Sequence, residues 1–163
     1  MRKFIFSLPR LAADTVLAKI DGLRGTAKRG AAIGQVSPEN LTVLEAMCFA
    51  AKTRGKIADE DLTDIKTVAD AMTGATFPMQ TVKKTAALAE TTKTEHEVMR
   101  LVSTAPLSIQ DQMMRAVLYV VSADGQVIER EWDFVTKLAT GMKLSGDKLR
   151  QLIAETLELR TAA

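Results

Sequence analysis

Cysteine, histidine and aromatic side chains are all scarce in this sequence. Cys48 is the one cysteine in 163 residues, which excludes an internal disulfide and any CxxC metal or redox motif. It stands in the apolar run Leu44 to Ala51, where a thiol is expected to be buried filling rather than a nucleophile. The one histidine, His96, sits between Glu95 and Glu97. No Glu-x-x-His pair accompanies it, so a di-iron carboxylate centre is excluded and a solvated surface position is expected. Aromatics make up 4% of the chain; few residues favour strands, and the composition points to an all-α protein. No apolar run approaches the roughly 18 residues of a membrane-spanning helix. The opening MRKFIFSLPRL has a basic tip, but its short apolar stretch is cut by Pro9, a poor signal peptide. A cytoplasmic protein is expected, with a peripheral place at the inner membrane face as the alternative. Glycine-rich phosphate loops and a nucleophile elbow are also missing. A non-enzymatic protein is therefore expected, with a hydrolase of unrecognised type as the alternative.

What is present is the material of helices. Hydrophobic residues are 47% and charged residues 26% of the chain, the balance of a globular fold, and the length suits one domain. The net charge of +2 is unevenly spread: residues 1–34 hold seven Lys or Arg against Asp14 and Asp21, a local +5, so the remainder carries −3. In that basic part Leu8, Ala12, Val16, Ile20 and Leu23 follow a helical period, and Gly25, Gly30 and Gly34 loosen the chain after it. Residues 1–34 are read as a basic amphipathic N-terminal helix and a Gly-rich connector, and 35–163 as a helical domain. Within the domain, Ser37-Pro38-Glu39 is a helix start. Further helices are expected from about Asp59 to Gly74, Met79 to Glu90, Thr94 to Val102, Ser108 to Ala123, Glu129 to Met142 and Asp147 to Leu159. Thr94 with Glu97, and Ser108 with Asp111, have capping-box spacing.

An internal repeat organises these segments. An offset of 70 pairs Ala46 with Ala116, Phe49 with Tyr119, Gly55 with Gly125, Ile57 with Val127 and Asp61 with Glu131. It also pairs Leu62 with Trp132, Ile65 with Val135 and Met72 with Met142. Two units of three helices, about residues 38–90 and 108–159, are expected to make the one domain. Val43 to Ala51 contains one charge, Glu45, and Met113 to Val121 contains one, Arg115. Helices apolar on all sides are central ones, so these two are expected to pack on each other.

The segment SADGQVIEREWDFVTKLA, an apolar helix running into Asp-Gly and then an acidic helix start, resembles the TerB family of tellurite-resistance proteins and the similar domains of some DnaJ-type co-chaperones. TRGKIADEDLTDIKTVA is a degenerate second copy. The resemblance covers roughly residues 37–160. It implies an all-helical fold of two pseudo-symmetric three-helix repeats and a stress-response module acting by partner or divalent-cation binding. It also implies acidic clusters proposed to hold metal: by match, Asp124 and Glu131 in the second half and Asp61 in the first. The first-half counterpart of Asp124 is Arg54, a departure from the pattern.

The residues allow two readings of the acidic turn. Gly125 lets the chain reverse, Asp124 can serve free backbone N–H groups, and Glu129 and Glu131 suit the positive end of a helix. Alternatively, calcium or magnesium could be held by these carboxylates with carbonyls and water. With Gly125 at position six of an EF-hand loop, Glu131 falls at position twelve, but position one is Val120, which cannot ligate. If the two turns approach each other, the Arg54 guanidinium could take the place of a cation beside Asp124 or Glu131. For partners, an unidentified protein is expected. An anionic membrane surface is the alternative, met by Arg2, Lys3, Arg10, Lys19, Arg24, Lys28 and Arg29 beside Phe4, Ile5, Phe6 and Leu8. Nucleic acid is not expected, because the basic residues are confined to one end.

Overall fold

The computed structural model describes residues 4–7, 36–123 and 125–161. Seven helices are present among them: α1 Pro38–Lys52, α2 Asp59–Thr73, α3 Met79–Thr91, α4 Thr94–Thr104, α5 Leu107–Val121, α6 Glu129–Gly141 and α7 Gly146–Thr161. The architecture is helical, as the scarcity of strand formers implied. No described helix is long and apolar enough to cross a membrane. The one extended element among the described residues is an antiparallel ribbon of β1, Phe4–Ser7, and β2, Gln126–Ile128, in which Phe4 pairs with Ile128 and Ser7 with Gln126. Strand β1 precedes the segment expected to form the basic amphipathic helix. Phe-Ile-Phe suits a pleated strand, and the extended chain after the Gly125 turn offers it a pairing edge. The remainder of the basic segment, with Arg2, Lys3, Arg10, Lys19, Arg24, Lys28 and Arg29, lies outside the described residues.

Two helices form the centre. On α1, Val43, Leu44, Ala46, Met47, Cys48, Phe49 and Ala50 are fully buried. On α5, Met113, Met114, Ala116, Val117 and Val121 are as well. These are the two runs with one charge each, and their mutual contact is the most extensive in the molecule. Burial on all sides is available only to a helix with neighbours on all sides: α1 also touches α2, α3 and α4, and α5 touches α2, α6 and α7. Alanines at 46, 50 and 116 keep side-chain bulk small where the central helices must accommodate several neighbours.

Local chemistry sets the boundaries. Ser37 Oγ accepts a hydrogen bond from the Asn40 N–H at 3.1 Å, and Pro38 opens α1. Ser145 Oγ accepts from the Lys148 N–H at 3.1 Å at the start of α7. Gly74, with φ of 74°, ends α2 in the left-handed conformation glycine tolerates. Two capping expectations are corrected. α4 begins after Lys93 with no side-chain cap, because Glu97 turns inward instead of back to its own N-terminus. α5 begins at Leu107 after Pro106, so Ser108 lies inside the helix and caps nothing, while Asp111 bonds Lys148 of α7 at 2.8 Å.

Burial agrees at several of the offset-70 positions and differs at others: Met72 is half-buried where Met142 is buried, and Asp61 is exposed where Glu131 is buried. Ala46 and Ala116, Phe49 and Tyr119, Ile57 and Val127, Ile65 and Val135, and Ala69 and Ala139 are all buried. Leu62 is buried and Trp132 half-buried against the same core. Both turn glycines have positive φ, 142° at Gly55 and 82° at Gly125. Between these elements α4 is held to α6 by a close approach: a Cβ at Gly141 would stand 2.8 Å from Val102 Cγ2. Valine is branched at Cβ and cannot swing that methyl aside freely. Gly141→Ala should therefore lower unfolding free energy by about 1–3 kcal/mol through overpacking, read as a drop in urea midpoint at unchanged slope.

Candidate functional site

The acidic turn meets the end of α1 at a single junction. After Lys52 the chain leaves the helix through Thr53 and Arg54, with the Gly55 N–H bonded to the Lys52 carbonyl at 2.9 Å. That short turn aims Arg54 across at α6. Its Nε donates to Glu131 Oε1 at 2.6 Å and its Nη2 to Glu131 Oε2 at 3.0 Å, a two-pronged guanidinium–carboxylate contact. Nη2 also donates to the Gln126 carbonyl at 2.5 Å and lies 3.4 Å from the Val121 carbonyl. Glu131 is almost completely buried, and its Oε2 accepts a further bond from the Ile128 N–H at 2.8 Å. Glu131 thus closes the first turn of α6 and anchors α1 in one arrangement.

Of the sequence-derived site residues, the structure brings Arg54 and Glu131 together. Asp61 does something different. Its exposed side chain accepts from the Ala58 N–H at 2.8 Å, a bond of the same kind as Glu131–Ile128 seventy residues on, and caps its own helix. Asp124 lies outside the described residues. Among the described residues no group of three or more His, Cys, Asp or Glu could hold a metal ion. The carboxylate that a cation would need is already matched by a guanidinium and a backbone N–H.

A second buried pair stands two residues back, and the sequence reading missed it. Lys52 donates to Glu97 and to the Thr92 carbonyl, tying the C-terminal end of α1 to α4. Glu97 is fully buried, and its Oε2 has no hydrogen-bond partner. Burial raises its pKa above the ordinary carboxylate value, opposed by the Lys52 hydrogen bond and charge and by the charge of Arg100. Lys52 Nζ and the Arg100 guanidinium also lie over the Phe49 ring, 5.8 Å and 5.1 Å from its centre, and Arg100 Nη1 bonds Glu45 Oε2 at 2.9 Å. The signal in the sequence was the four-residue spacing of Glu97 and Leu101 on a short helix. Glu97 and Leu101, four apart, share its buried face, a register that the capping-box reading of Glu97 concealed.

The remaining reactive groups are spent or exposed. Cys48 is fully buried, and burial, then the Glu45 charge, push its thiol up to about 12, far from a thiolate at neutral pH. His96 is exposed. Compared with family models, curated proteins and solved structures, the chain matches none of them.

Truncating one partner of a buried pair strands the other. Lys52→Met should cost roughly 3–5 kcal/mol of stability, while Lys52→Met with Glu97→Leu should recover most of it, both read by denaturant unfolding. The pH dependence carries its own sign. Because the folded pKa of Glu97 lies above the ordinary 4.5, the native state holds the proton more tightly, and stability from this group is lost as pH rises through the raised value. The stability of the wild-type protein relative to Glu97→Gln should therefore increase as pH falls through that window, measured by unfolding at a series of pH values.

Proposed function

We propose that the chain is a non-catalytic stress-response module of the tellurite-resistance type, built as two pseudo-symmetric three-helix repeats and working through a protein partner rather than a bound metal. Support for the arrangement comes from the offset-70 pairing. The same spacing joins buried positions, positive-φ glycines and helix-starting carboxylates, and the motif SADGQVIERE sits at the end of the central helix of its half.

The observation that carries the choice of partner over metal is Arg54. Glu131 with the Gln126 and Val121 carbonyls is an oxygen set of the kind a hard cation takes. In this chain the set faces a guanidinium held within hydrogen-bonding distance. A fixed positive charge, carried by the chain itself, supplies the counter-charge that would otherwise have to be drawn from solution. The turn then acts as architecture, setting the angle between the two halves, and recognition is left to the surface. A raised thiol pKa at Cys48 and an isolated surface His96 support the non-catalytic part of the reading.

The test is thermal unfolding with and without millimolar calcium, magnesium, manganese or zinc. Wild-type protein should show no rise in melting temperature with any of them. Arg54→Asp should melt lower in chelator, because buried Glu131 then faces a like charge, and should regain several degrees on adding calcium, since a ligand of the native state alone must stabilise it. A cation-dependent rise in the wild type, or an Arg54→Asp protein indifferent to every cation, would remove this reading of the junction.

A further inference from the structure

Strand β2 is held in place from the side away from β1. In an extended chain, successive residues turn their backbone N–H and C=O groups to opposite edges. The Gln126 carbonyl accepts from Arg54 Nη2 at 2.5 Å, and the Ile128 N–H donates to Glu131 Oε2 at 2.8 Å. Residues 126 and 128 therefore face the junction between α1 and α6. Val127, between them, turns its N–H and C=O the other way, to the edge where Phe6 is its partner. The Val127 side chain is fully buried in the core. The edge is thus fixed as an extended segment by the core, by Arg54 and by Glu131, none of which belongs to β1.

Its cover is slight. β1 has four residues and β2 three. The register shifts between Phe4 and Phe6, which leaves Ile5 as an extra residue with no Cα partner of its own. Two strands of this length hold together weakly in water. We propose that the Val127 edge is a strand-addition site, at which an extended apolar segment of a partner protein replaces Phe4–Ser7. This rests on the partner-binding reading above and names the class of partner. Its chemistry follows from what is seated there: a short segment of the Phe-Ile-Phe kind, free of proline, exchanging main-chain bonds across the edge. β1 is then a competitor carried by the same chain. An edge preformed in this way invites indiscriminate pairing when bare, and β1 keeps it closed until a better-matched strand displaces it. The cover also lowers a partner's apparent affinity in proportion to the fraction of molecules whose edge is open. Exchange leaves the rest of the fold in place, because Gln126 and Ile128 keep their bonds to Arg54 and Glu131 whichever strand lies alongside.

The experiment titrates the full chain into a fluorescein-labelled peptide of sequence RKFIFSL and follows anisotropy, for wild type and Phe6→Pro, with amide hydrogen exchange of both proteins read by NMR. Proline opposite Val127 removes the main-chain donor that β1 needs there. Phe6→Pro should bind the peptide about tenfold more tightly than wild type, since its edge is no longer covered. The same peptide with proline in place of its second phenylalanine should bind neither protein. Exchange separates a freed edge from a damaged fold: in Phe6→Pro the Val127 amide should lose its protection while the Ile128 amide, bonded to Glu131, keeps it. Equal peptide affinity in the two proteins overturns the proposal. So does equal binding of the proline peptide, which marks mere aromatic adhesion, or loss of protection at both amides, which shows that the edge needs β1 to form. Sedimentation velocity of the two proteins covers the remaining occupant: a wild-type dimer that Phe6→Pro dissolves makes a second copy the occupant and overturns the assignment to another protein. None of these readouts involves a cation, so failure here leaves the thermal-unfolding test of the Arg54 junction standing by itself.

Discussion

The constraint on which the rest of this structure depends is the burial of α1 on every side. A helix with seven fully buried side chains between Val43 and Ala50 has no face left for water, so its neighbours must be fixed around it. Its polar end is where that demand becomes acute. Backbone carbonyls at the C-terminus of a helix carry partial negative charge, and in α1 that end lies half-buried against α4 and α6. The chain answers with cations, Lys52 and Arg54, each reaching a buried carboxylate on a different helix: Glu97 on α4 and Glu131 on α6. The two ion pairs lie where three helices converge, and each carboxylate would be costly to bury without its partner.

The two pairs solve the same problem to different degrees. Arg54 is planar and forked, and it meets both oxygens of Glu131 while the Ile128 N–H supplies a third bond. Lys52 is a point charge, and it leaves Glu97 Oε2 without a partner. The consequence is chemical: burial raises the pKa of Glu97, whereas Glu131 has bonds on both oxygens. A buried carboxylate with one idle oxygen is the less comfortable element of the pair, and it sits on α4, which packs closely on α6 at Gly141.

Much of this was legible in the sequence, because the signals were periodic and local. The helix start at Ser37, the stop at Gly74 and the two nearly uncharged central helices follow from cap chemistry and apolar patterning alone. The offset-70 comparison pointed to Arg54 as a charge facing the acidic turn. What was not legible depended on distance in the chain. Glu97 has the spacing of a helix cap, and only the packing of α4 against α1, 45 residues away, shows that it faces inward. Phe4–Ser7 has no partner within more than a hundred residues of sequence. Its strand exists because Gln126–Ile128 offers an edge, and no local rule reports that. Leu107 reads as a core residue by type, and its exposure comes from the corner at Pro106.

The asymmetry between the two halves is the most informative feature of the junction. Asp61 and Glu131 occupy equivalent positions and both close the first turn of their helices through a backbone N–H. Asp61 does so at the surface, where water screens its charge and a one-methylene-shorter side chain is enough. Glu131 does so in the interior, where a carboxylate needs a counter-charge. The residue that provides it, Arg54, comes from the turn of the other half. Glu131 thus draws its counter-charge from the turn after α1, while its backbone partner, the Ile128 N–H, belongs to its own helix start. Such a contact ties the turn after α1 to the start of α6, since separating them would leave a carboxylate buried without charge compensation. A metal could bridge the same gap only while it stayed bound; a guanidinium on the chain bridges it whenever the chain is folded.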